Sequence, residues 1–427
     1  KPAAVLGLRG SMFVLPRAAN AAGAAMARAG HARKNPIPQT EHSMSGLGLR
    51  MKPTTRSGLW ITLSASMALA FQSSVDALLP MAPGASVMVF FARPVLGLGV
   101  SALLLPLLER SPTSAGSITA LGLAMSGALA LVPQSFWSYH WAALAGAFVK
   151  VPLLCSLLLG DPAWAGWRLA GAFYGLLLGP MVATLHMPEE TLRVLLALFA
   201  FSSAVFHFAV ANGTLHAERK SDLRSLVLAT LPASVALSGV VMAWLLLSVQ
   251  LALLPLLHAL HGHPLADRPL PLGLALLVSS FWLCHAPYPW MKSGPCLPLA
   301  LCASSAIAAL SMRGVAQAIS GHDAWQLTGY RLLMQLSLGL LLVTTGTALG
   351  RLTSFLPSAF LGCALAAAAF LGEGVGLVLQ LLMLPAFGAL GTMKALALLP
   401  LCYAFLVVRH LPSPEAVDDF HDCDGAE

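Results

Sequence analysis

The chain has 427 residues, 57% of them hydrophobic and only 10% charged, with a mean hydropathy of +0.79. Soluble domains carry roughly a quarter charged residues, so a soluble globule is excluded. The formal charge of +7 therefore has to be read against a lipid bilayer first.

The elements follow in chain order. Residues 1–56 hold nine Lys or Arg (Lys1, Arg9, Arg17, Arg28, Arg33, Lys34, Arg50, Lys52, Arg56) against one acid, Glu41. No nucleic-acid-binding fold or aromatic interleaving accompanies them, so no nucleic acid is expected as a partner. Such an arm fixes the orientation of a first membrane helix by the positive-inside rule; being Ala/Arg-rich and acid-poor, it also fits an organelle transit peptide. The chain opens on Lys, with Met44 and Met51 as alternative starts, and the arm is set aside from the fold.

Beyond the arm, apolar blocks near the length of about 20 residues needed to cross a bilayer predict helices at roughly 58–79, 85–107, 118–133, 141–159, 168–186, 192–211, 229–256, 271–287, 295–315 and 331–349. The blocks do not alternate as barrel strands do. A further apolar stretch, 357–408, has room for two or three more crossings, and a polar acidic tail, 411–427, closes the chain. Within that stretch Gly372, Gly374 and Gly376 flank Glu373. Their low helix propensity predicts a turn at 372–376 with Glu373 at a membrane face, and Lys394 is the nearest cation to pair with it were it buried. With the arm in the cytoplasm, the even-numbered connections hold Arg110, Arg168, Arg219, Lys220, Arg224, Lys292 and Arg351, and the opposite ones Arg193, Arg268, Arg313 and Arg331.

The cysteines are Cys155, Cys284, Cys296, Cys302, Cys363, Cys402 and Cys423. None forms a CxxC pair and six lie in or beside apolar segments, so they read as small buried hydrophobes rather than a disulfide framework or zinc site.

One internal echo stands out. Residues 160–179, GDPAWAGWRLAGAFYGLLLG, and 321–340, GHDAWQLTGYRLLMQLSLGL, share Gly, an acid, Ala-Trp, then Gly-aromatic-Arg-Leu opening an apolar helix. Trp164 and Trp325 are 161 residues apart, Arg168 and Arg331 163 apart. Interfacial clustering of Trp, Tyr and Arg gives a simpler account. Duplication gives a richer one: five helices separate the copies, and a repeat of odd helix number lies inverted, as in secondary transporters.

Several short motifs resemble the drug/metabolite transporter superfamily, and within it the EamA-like permeases. The first helix, Leu59-Trp60-Ile61-Thr62-Leu63-Ser64-Ala65, is followed by Pro80 and Pro83, and the second carries Phe90-Phe91-Ala92-Arg93. Leu157-Leu158-Leu159-Gly160-Asp161 is similar to the family's Leu-x-Leu-Gly-Glu, and Gly171, Gly175 and Gly179 to its fifth helix. Ala197–Ala211 and His216-Ala217-Glu218-Arg219-Lys220 follow the second half more loosely, while Phe370-Leu371-Gly372-Glu373 holds the motif unaltered. The resemblance implies about ten transmembrane helices in two inverted five-helix repeats, 57–186 and 187–350, with 351–410 as an added helical extension.

No enzyme signature is present, neither GxSxG, HExxH nor a Walker A loop, and no catalytic residue, cofactor or metal is expected. Ionisable groups inside spans are the informative ones, because each costs a few kcal/mol at the bilayer centre by insertion scales. Lys150, mid-span in Ala147-Phe148-Val149-Lys150-Val151-Pro152, is a cavity charge or a snorkelling lysine. Arg93 beside Pro94 faces a cavity or reaches the interface. Asp76 ends the first span as a solvated cap or a site residue, with Gln72 one turn before it. His207 and His285 are satisfied core histidines or proton relays. His258, His261, His263 and Asp267 form a solvated loop or, less simply, a metal site. The aromatic run Phe136-Trp137-Ser138-Tyr139-His140-Trp141 is an interfacial belt before it is a gate.

The expected function is a secondary transporter moving a small polar metabolite or drug by alternating access, with Gln72, Asp76, Arg93, Lys150, His207, Trp282 and His285 as substrate-binding candidates. Coupling protons and a homodimer fit this reading. The alternatives are a membrane-embedded enzyme acting on a lipid-linked substrate and a non-transporting scaffold. The expected location is a bacterial inner membrane with both termini cytoplasmic, or an organelle membrane if the arm is a transit peptide.

Overall fold

A computed structural model describes residues 63–72, 87–111, 114–132, 136–158, 165–182, 188–212, 223–253, 296–353 and 356–409. These comprise α1 (Leu63–Gln72), α2 (Val87–Arg110), α3 (Ser114–Leu131), α4 (Phe136–Leu158), α5 (Ala165–Val182), α6 (Glu189–Asn212), α7 (Leu223–Ser248), α8 (Cys296–Ser320), α9 (Ala324–Leu352), α10 (Ser358–Leu396) and α11 (Leu398–Arg409). A single π turn, Val249–Leu253, extends α7. The expected arm, tail, 271–287 span, histidine loop and first copy of the Ala-Trp echo at 160–164 lie outside the described residues.

Eight of the described helices are long and apolar enough to cross a membrane. Their outer faces are as hydrophobic as their inner ones: Val205, Leu299, Leu382 and Phe405 are all more than 65% exposed, which suits lipid and no other solvent. Many buried hydroxyls are satisfied within their own helices, as suits a bilayer. Thr119 Oγ1 donates to the Ala115 carbonyl and Thr345 Oγ1 to that of Leu341, each at 2.9 Å. The chain is an all-α integral membrane protein.

The turn between α8 and α9 explains the second copy of the echo locally. His322 lies in the left-handed region with φ 56°, and Asp323 caps α9, its Oδ1 accepting from the Trp325 and Gln326 amides at 3.0 Å. An acid two residues before Trp is here a helix N-cap. The echoed arginines have different surroundings. Arg168 is fully buried and donates to the Leu157 carbonyl at 3.1 Å, closing the end of α4, while Arg331 is half-buried.

α10 corrects the reading of its own segment. It runs unbroken through 372–376, and the interruption comes instead at Gly388, with φ 64°, three residues after Pro385. The three glycines are contact surface rather than breakers. A Cβ at Gly372 would collide with the Val241 carbonyl of α7, one at Gly376 with Ser248 of α7, and one at Gly374 would press on Pro94 of α2. Small residues four apart let membrane helices approach backbone to backbone, and that packing outweighs a propensity cost of about 1 kcal/mol per glycine. Within the stretch 351–410, α10 packs on α2, α4 and α7.

α5 and α9 are antiparallel neighbours. The start of α5 meets the end of α9, where a Cβ on Gly346 would lie 2.8 Å from the Gly166 Cα, and further along the Tyr174 hydroxyl donates to the Gln335 carbonyl at 3.1 Å. At the same face α4 and α10 meet as closely: a Cβ on Gly362 would fall on the backbone of Cys155.

Candidate functional site

Arg93 and Glu373, far apart in sequence, form the one ion pair among the described residues, with Nη1 to Oε1 at 3.3 Å and side chains 23% and 16% exposed. The helices place them. α2 and α10 run antiparallel, so Arg93 faces Glu373 and, one turn on, Gly97 faces Phe370 so closely that a Cβ there would sit inside the Phe370 ring. On the third side, α4 brings Lys150, which is 7% exposed, with its Nζ 5.8 Å from the centre of the same ring. A cation over an aromatic face gains about 0.5–2 kcal/mol depending on desolvation. Three ionisable groups and one aromatic ring therefore converge where α2, α4 and α10 meet, far from the ends of α4 and α10. Charges so placed inside membrane spans mark substrate or ion pathways.

The other sequence candidates go elsewhere. Gln72, fully buried, accepts from Ser126 Oγ of α3 and donates to the Ala142 carbonyl of α4 at 3.5 Å, fastening α1 to both. His207 Nδ1 shares a 2.5 Å hydrogen bond with Ser64 Oγ of α1, and about two turns along the same two helices the Phe71 and Phe199 rings stack at 5.2 Å; the His207 Nε2 is buried and meets no partner. Both tie α1 to its neighbours. Asp76, Trp282 and His285 lie outside the described residues. Among the described residues no group of three His, Cys, Asp or Glu converges as a metal site would.

Sequence reasoning missed Phe370 and the pairing of Glu373. It also missed a buried polar contact between α7 and α10, where Gln380 Nε2 donates to Ser248 Oγ at 3.3 Å. The signal for Glu373 was an acid in an apolar block facing Arg93 in another; only the topology shows that they meet.

No family model and no curated protein sequence matches the chain. Solved structures do match in shape. The human organic anion transporter MFSD10 (TETRAN) superposes with a TM-score of 0.65 at 16% identity, over 84% of this chain and 100% of that one. The major facilitator superfamily proton:xylose symporter XylE gives 0.56 at 12% identity, over 84% and 97%. The major facilitator superfamily transporter FucP gives 0.52 at 13%, over 85% and 100%.

The fold is that of major facilitator superfamily transporters.

This overturns the resemblance to drug/metabolite transporters and EamA-like permeases. The reason is physical: short Gly-, Leu- and Arg-containing motifs recur in any apolar helical sequence. The most faithful of them, Leu371-Gly372-Glu373, lies inside a continuous helix and not at a junction.

Proposed function

We propose that this chain is a secondary transporter that moves a small polar solute by alternating access, using the Arg93–Lys150–Phe370–Glu373 constellation at its centre. The observation that carries the reading is the Arg93–Glu373 pair seated inside a fold shared with transporters. In such folds two six-helix halves, related by an axis along the membrane normal, rock about a site near the midplane. The described helices suit that layout, with α1–α6 assigned to one half and α7–α11 to the other. This replaces the division near 186 that the drug/metabolite resemblance suggested. On this layout Arg93 and Lys150 belong to one half, Phe370 and Glu373 to the other, so the pair has to part when the halves rock.

Coupling to protons is supported by one of the neighbours, XylE, which is described as a proton:xylose symporter.

The test is uptake of a defined panel of sugars, organic acids and drugs into proteoliposomes under a pH gradient. Wild-type chain should accumulate at least one solute, and Lys150→Leu, inserted and folded, should not. Equal uptake by the two proteins would remove Lys150 from the mechanism.

A further inference from the structure

The sequence contains no cysteine motif, yet the fold sets two cysteines face to face. Cys155 of α4 and Cys363 of α10 are both buried, with their sulfur atoms 3.6 Å apart. The helices carrying them touch here, since Gly362 leaves no room for a Cβ against the Cys155 backbone. Two thiols held this way need only a small approach to reach disulfide bonding distance. They also occupy a telling position. Cys155 follows Lys150 by five residues on α4, and Cys363 precedes Phe370 by seven on α10, so both lie one to two turns from the charged constellation, toward the face where α5 meets α9.

We propose that Cys155 and Cys363 form an oxidation site, a thiol pair that a hydroperoxide converts to a disulfide, latching α4 to α10. The step balances. The hydroperoxide oxidises one thiol to a sulfenic acid and is itself reduced to an alcohol or water. The second thiol then attacks that sulfur, its proton leaves with the hydroxyl as water, and two thiols have supplied two electrons to become one disulfide. A small peroxide suits the buried position. The bond joins helices that must separate in the transport cycle, so the oxidised protein is held in one state and reduction frees it. That consequence rests on the transport reading above; the covalent step does not.

The experiment treats the full chain in proteoliposomes with hydrogen peroxide, with and without later phosphine reduction, alongside Cys155→Ser and Cys363→Ala. Peptide mass spectrometry should find the 155–363 cross-link in the wild type only, reversed by the phosphine, and amide exchange across α4 and α10 should slow on oxidation. Uptake should fall at least tenfold and recover on reduction, while both variants keep their uptake through peroxide treatment. Residues 155 and 363 both remaining open to alkylation after peroxide would overturn the site. A cross-link with unchanged exchange and uptake would overturn the latch. A cross-link that slows exchange in a protein moving no solute in either form would support the latch and defeat the transport reading instead.

Discussion

Removing either member of the Arg93–Glu373 pair should destabilise the bundle, and removing both should cost less than the sum. At 3.3 Å two unit charges attract by about 5 kcal/mol at an effective dielectric constant near 20. Desolvation of both groups and residual exposure offset much of that, leaving a coupling of about 2 kcal/mol. The perturbations are Arg93→Met, Glu373→Leu and the double variant, followed by equilibrium unfolding of the full chain in mixed micelles titrated with SDS. Each single change should cost about 2–3 kcal/mol, as expected for a charge that loses its partner inside a membrane protein. The double variant should recover about 2 kcal/mol of their sum. Additivity within about 0.5 kcal/mol would show that the pair carries no coupling and would refute its role as a link between α2 and α10.

Gly166→Leu should destabilise the α5–α9 contact by about 1–3 kcal/mol through overpacking, because a Cβ there already meets the Val343 carbonyl and Thr347 Oγ1; wild-type thermal stability in detergent would contradict the backbone contact. Gly372→Leu should likewise part α10 from α7, whose Val241 carbonyl fills that space, and a variant of unchanged melting temperature would show the helices are not so close. Ser64→Ala, which deletes the hydroxyl bonded to His207, should cost about 1–2 kcal/mol and leave the pH dependence of uptake unchanged. A shifted pH profile would return His207 to the transport mechanism.

Sequence carried the fold class because lipid imposes a length and an apolarity that composition reveals directly. Lys150 and Arg93 stood out in the sequence because charge inside a span is costly enough to be conspicuous. Sequence did not carry the architecture. Motifs of Gly, Leu and Arg are the common vocabulary of membrane helices, so a resemblance built on them selected the wrong superfamily. Glu373 shows the limit most clearly. Its flanking glycines have two physical meanings, backbone freedom and close packing, and only the neighbours Val241, Ser248 and Pro94 decide between them. Gln72 and His207 stood out because polar side chains in spans are rare, and the hydrogen bonds each makes between α1 and a neighbouring helix depend on the topology. Cys155 and Cys363 are 208 residues apart, and no local pattern announces a pair formed by topology.

Alternating access is the central claim, and a distance between the two halves tests it without knowing the solute. Arg110 at the end of α2 and Arg351 at the end of α9 are both exposed at the face where α4, α5, α9 and α10 converge. Spin labels at Arg110→Cys and Arg351→Cys, with the native cysteines replaced by serine, report their separation by double electron–electron resonance in lipid nanodiscs. Two distance populations are expected, with their ratio shifted in Glu373→Gln, whose neutral side chain no longer holds Arg93 by charge. A single distance, identical in the Glu373 variant, would contradict alternating access.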